Sequence, residues 1–296
     1  MLPIAMLTGA LFYKYVVLLS FLTPYLIFTM LLVTYCKLAF RELKFTRLHL
    51  WLIIIQLLGS LLVYFICYFF DPLLAEGVMI CVLAPTATAA AVITGMLGGS
   101  VASLAAFSLL SNLTVAIAAP AMFSFMGNNS ELPFLDSFFH ICRQVGPLLI
   151  FPFVCAVLLD KLLPGVHRKL KSMQSVSFYL WSVGLMIVTG KTVYFIAVQD
   201  SSNYTEELLI ALCSLVICII QFMGGRRLGR YFGDKVAGGQ ALGQKNTILA
   251  IWMAQVYLLP LASIGPASYV LWQNIINSYQ LWKKRKKDDK IRNLSS

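Results

Sequence analysis

The sequence predicts an all-α polytopic membrane protein of ten transmembrane helices, or nine if the first apolar piece does not cross. Three observations predict it. Of 296 residues, 59% are hydrophobic and only 12% are charged, about half the roughly 25% charge of a soluble domain. Mean hydropathy is +0.82. Apolar runs long enough to cross roughly 30 Å of hydrocarbon recur along the whole chain. A soluble globular enzyme and any disordered or fibrous class are excluded.

In order, the runs cover 21–36, 50–70, 73–97, 101–126, 134–159, 175–198, 208–223, 236–259 and 264–282. A shorter piece, 1–13, precedes them and rises only about 20 Å as a helix. It has neither the basic leader nor the small-residue cleavage site of a signal peptide, so it reads as a truncated or tilted first helix.

Charge sets the orientation by the positive-inside rule. Nineteen of 23 basic residues fall on one side: Lys37, Arg41, Lys44 and Arg47; Lys161, Arg168, Lys169 and Lys171; Arg226, Arg227, Arg230 and Lys235; and seven from Lys283 to Arg292. The opposite loops hold Asp71, Glu76, Glu131, Asp136, Asp200, Glu206 and Glu207. The C-terminus is therefore expected in the cytoplasm, and the chain in the cell (inner) membrane as a multi-pass protein. Topology also explains the net charge of +11. The stretch Lys283–Lys287 of the basic tail 283–296 can touch anionic lipid heads, but no groove-reading motif supports nucleic-acid binding. The seven cysteines all lie in apolar runs, with no CxxC pair, so they read as packing residues rather than a disulfide framework.

Two runs are interrupted. With the short piece 1–13 counted first, the fourth contains Ala84-Pro85-Thr86-Ala87-Thr88-Ala89-Ala90-Ala91, and Pro85 removes a helix hydrogen bond in mid-span. The ninth contains Gly238-Gly239-Gln240-Ala241-Leu242-Gly243-Gln244-Lys245-Asn246-Thr247. Each is fourth of five, and five is odd, so the halves 1–126 and 127–282 read as inverted repeats. Matching interruptions in two inverted halves point to a transporter's substrate site.

At these residues the sequence resembles the bile acid:sodium symporter family and its bacterial members. The resemblance covers nearly the whole chain in span order. It is sharpest in Pro85-Thr86-Ala87-Thr88-Ala89 with Gly98-Gly99-Ser100, in Gly243-Gln244-Lys245-Asn246-Thr247-Ile248-Leu249-Ala250, and in Gln56. It implies a panel domain (spans 1, 2, 6, 7) and a core domain (spans 3–5, 8–10) whose broken spans 4 and 9 cross. It also implies organic-anion substrates held near the starts of the second half-helices, at Thr88, Asn246 and Thr247, where free N–H groups and the positive dipole end point. The sodium sites that it implies are not kept. The first would fall on Ala90, Ala91, Leu104, Ser108 and Ala241, of which only Ser108 could ligate. The second would use Gln56, Ala241 and Lys245, with Gln244 alongside. Hard cations need oxygen ligands, so sodium is not expected.

The resulting expectation is a secondary transporter of a small or amphipathic organic anion, monomeric in the lipid bilayer, without cofactor. Lys245 either stands as a fixed cation in place of the second sodium ion or carries a proton, and no carboxylate is found within the spans to share one. Arg143 and Lys191 are further candidates for attracting the anion; Gln221 and Gln255 read as bonds between helices. The alternatives are an exporter of an inorganic or hormone-like anion, and a membrane sensor that binds ligand without moving it. No Ser/His/Asp, paired-carboxylate or zinc spacing lies at depth to suggest an enzyme.

Overall fold

The computed structural model describes residues 2–37, 43–87, 90–126, 133–198 and 204–295. Among them the only pairing outside helices is one antiparallel bridge, Thr86 with Lys245. The helices are α1 (Leu2–Leu11), α2 (Tyr13–Val16), α3 (Thr23–Cys36), α4 (Arg47–Tyr68), α5 (Pro72–Leu83), α6 (Ala90–Met96) and α7 (Val101–Met126). The second half supplies α8 (Phe134–Leu162), α9 (Pro164–Ser172), α10 (Gln174–Val198), α11 (Tyr204–Tyr231), α12 (Lys235–Gly243), α13 (Thr247–Tyr257) and α14 (Ile264–Ser295). Single 3-10 turns, Val17–Leu22 and Pro260–Ser263, lead into α3 and α14.

Six described helices are long and apolar enough to cross a membrane, and two shorter apolar ones, Pro72–Leu83 and Thr247–Tyr257, each reach about half-way. The chain is a multi-pass membrane protein. The two short helices are the pieces of the interrupted spans. α14 covers the last expected span, but Tyr269, Gln273, Asn277 and Gln280 dilute its apolar character.

Phe12 (φ −103°, ψ 26°) separates α1 from α2, with which the span Tyr13–Cys36 begins. Its N–H still bonds Thr8 O, and its carbonyl accepts from Tyr15 and Val16. This one residue interrupts the helix between α1 and α2. Two features differ from the sequence reading. Residues 164–172, read as a basic connection, form α9, with its one buried residue, His167, 3.3 Å from Asp160. Glu76, read as a loop acid, lies inside α5 and is 4% exposed. Asp71 caps that helix by accepting Leu74 N–H at 2.6 Å and Pro72 opens it, so the helix has already started when Glu76 is reached. The expectation that no carboxylate lies within the spans is thereby corrected.

The helices gather in two groups. α1 to α3 pack along α10, and α3 along α8. α5 packs on α4, α11 and α14, while α12 packs on α11, α7, α6 and α4. Contacts of α7 with α8, and of α13 with α10 and α3, join the groups. α13 is the most enclosed: ten of its eleven residues are buried.

Candidate functional site

The two interrupted spans meet at their breaks. Ala84, before a proline, is pushed to φ −45° and ψ 137°, and α5 stops. Gln244 leaves α12 at φ −102° and ψ 105°. The two extended segments then pair backbone to backbone: Ala87 N–H donates to Gln244 O at 2.9 Å, and Asn246 N–H to Pro85 O at 2.8 Å. This is how irregular backbone survives at membrane depth, where each orphaned polar group costs several kcal/mol.

Side chains satisfy the carbonyls that the pairing leaves. At the end of α5, Lys245 Nζ donates to Val82 O at 2.8 Å, and Gln56 Nε2 donates to Leu83 O at 2.7 Å and Ala84 O at 3.1 Å. Gln56 Oε1 accepts from Ser111 Oγ at 2.9 Å. At the end of α12, Thr86 Oγ1 donates to Ala241 O at 2.7 Å and Tyr269 Oη to Gly243 O at 2.8 Å. Gln273 holds Lys245 itself: its Oε1 accepts Lys245 N–H at 2.8 Å and its Nε2 donates to Lys245 O at 3.4 Å. Lys245 is 1% exposed. Its Nζ sits at the carbonyl end of α5, where the helix dipole favours a cation.

α13 starts at this crossing. Asn246 caps it, Oδ1 accepting Leu249 N–H at 3.3 Å, and is itself partly exposed. As first-turn residues, Thr247 and Ile248 have no intrahelical acceptor for their N–H groups. That open, positive end is chemically suited to an anion.

Of the residues singled out by sequence, Gln56, Ser108, Ala241, Gln244, Lys245, Asn246 and Thr247 come together here. Ser108 Oγ donates to Thr86 O at 3.4 Å. Ala90 opens α6, fully buried, with Ala91 beside it partly exposed. Thr88 lies outside the described residues. Arg143 is not at the crossing: α8 buries Ile141 and Val145 and leaves Arg143 exposed. Lys191 is half-buried on α10, its Nζ 5.7 Å from the Phe195 ring. Gln221 and Gln255 do bond between helices. The first reaches Cys81 O at 3.2 Å and Tyr269 Oη at 3.1 Å; the second reaches Val188 O at 3.2 Å and Thr192 Oγ1 at 3.0 Å.

Sequence reasoning missed Ser111, Tyr269 and Gln273. A signal existed for the last two. Tyr269, Gln273 and Asn277 step by four along α14 and so share one helix face, which meets α12 where Gln240 Nε2 donates to Asn277 Oδ1 at 3.0 Å.

Comparison with protein-family models and with curated proteins returns no match.

Proposed function

We propose that this chain is a secondary transporter of a small or amphipathic organic anion, working by alternating access without sodium. Its two inverted halves, 1–126 and 127–282, each contribute one interrupted helix, and the tail 283–296 lies in the cytoplasm. The anion sits at the start of α13, against the Asn246 side chain and the Thr247 amide, between the two groups of helices. The observation that carries the reading is the pairing of two broken helices, one from each half, at Ala87–Gln244 and Asn246–Pro85.

Sodium does not fit the residues present. Ala90, Ala91, Leu104 and Ala241 offer no side-chain oxygen, while Gln56 and the Lys245 ammonium already occupy the carbonyls closing α5. Lys245 supplies there the positive charge that an ion would bring, without an ion gradient.

The test begins with a thermal-shift screen of carboxylates and sulfates on the purified protein. Uptake of the best binder into proteoliposomes is then measured under imposed sodium or proton gradients, for wild type and Lys245→Gln. Uptake by the wild type without sodium, lost or strongly reduced in Lys245→Gln, is expected. Steep sodium dependence in the wild type overturns the reading of Lys245, and binding without any uptake replaces the carrier by a sensor. Asn246→Ala should weaken binding of the same ligand by about 1–3 kcal/mol.

A further inference from the structure

Glu76 belongs to none of the roles given above. It is 4% exposed inside α5, and its Oε2 accepts Leu259 N–H at 2.7 Å. Leu259 lies between the end of α13 and the Pro260–Ser263 turn. The two interrupted helices are thus tied twice: by backbone at the crossing, and by this carboxylate at their ends remote from it.

Tyr64 of α4 lies within electrostatic reach of the carboxylate. The elements packed on α5 also carry the titratable Cys67 on α4, Glu206, Glu207 and Cys213 on α11, Tyr257 at the end of α13 and Tyr269 on α14, none of them cationic. The turn before α14 offers Ser263, whose hydroxyl donates to Pro260 O. Asp71, five residues earlier, is an acid near it, already committed to Leu74 N–H. Among the described residues no lysine, arginine or histidine forms an ion pair with Glu76. A buried carboxylate without a counter-cation keeps its charge only through hydrogen bonds. The bond that it accepts is about twice as strong when ionised as when protonated.

We propose that Glu76 is a proton-binding residue of the transport cycle. One proton from the aqueous phase adds to the carboxylate, forming a single O–H bond and removing one negative charge. The Leu259 bond then weakens and the remote ends of α5 and α13 come apart; loss of the proton ties them again. The proposal rests on the transport reading and gives the carrier a proton to couple to.

The measurement is hydrogen–deuterium exchange of the full chain in lipid nanodiscs, followed on peptides spanning 256–264 and corrected for the intrinsic pH dependence of exchange. In the wild type, protection of Leu259 should fall about tenfold from mildly alkaline to mildly acidic pH. Glu76→Gln should show the acid-state level at both, and Glu76→Asp should keep a pH dependence. Protection that ignores pH in the wild type, or a pH dependence that survives in Glu76→Gln, overturns the proposal. If the chain still carries anions in proteoliposomes when that happens, the transport reading stands and only the proton site falls. If the switch is present but the chain carries nothing, the role in transport is lost while Glu76 remains a pH-sensitive tie.

Discussion

The two half-helices that run into the crossing, α5 and α12, present the same problem and are handled differently. Both end at membrane depth with free carbonyls. α5 is closed by a buried lysine side chain and a carboxamide, Lys245 and Gln56. α12 is closed by two hydroxyls, Thr86 and Tyr269. Their outer packing differs too. A Cβ on Gly238 of α12 would overlap Gly225 O and stand 2.7 Å from Gly229 Cα of α11. A Cβ on Gly59 of α4 would find only the Val82 Cγ1 methyl of α5, at 3.6 Å. α12 is held on α11 by close backbone approach and α5 on α4 by side chains, while α5 meets α14 backbone to backbone at Gly77 and Gly265. Relatedness of position therefore does not impose likeness of chemistry: each half needs its carbonyls satisfied, and any donor of the right reach will serve.

Substitutions can break that contrast. The largest effect is expected for Gly238→Val, which cannot enter its site without separating α11 from α12. A loss of about 3 kcal/mol should appear as a lower unfolding temperature in detergent, while Gly59→Ala should stay within about 0.5 kcal/mol of wild type. Equal losses from the two glycines would erase the distinction in packing. Next comes Gln56→Leu, which strips donors from Leu83 and Ala84 and an acceptor from Ser111, at a cost of about 2 kcal/mol. Thr86→Val and Tyr269→Phe should each cost about 1 kcal/mol, since each removes a single donor from the end of α12. A Thr86→Val loss larger than that of Gln56→Leu would show that the neutral closure carries more of the crossing than the charged one.

Much of this architecture was readable before any coordinates. Apolar runs mark the membrane helices, and Pro85 with the glycines of 238–243 marks where two of them break. Lys245 stands out as a cation inside the second break, and Gln56 through the resemblance noted above. What escaped did so for physical reasons. Glu76 sits only a few residues inside a helix start, where a loop acid and a buried acid have the same sequence neighbourhood. Arg143 follows the periodicity of α8 to its exposed face, and only the packing of that helix shows which face is covered. Tyr269 and Gln273 lie on a helix of mixed character, where their spacing is visible but their target, the end of α12, is a contact distant in sequence.

α14 continues unbroken for 32 residues, Ile264–Ser295, about 48 Å of rod against roughly 30 Å of hydrocarbon. Its apolar part grips the second broken helix through Tyr269, Gln273 and Asn277, and the part after Trp282 projects about 20 Å further. Such a rod is a pointer fastened to the crossing. A tilt of about 10° at its anchored end displaces the tip by roughly 3 Å over that length, so a dye on the charged tail gives a gauge of the buried machinery from outside the lipid.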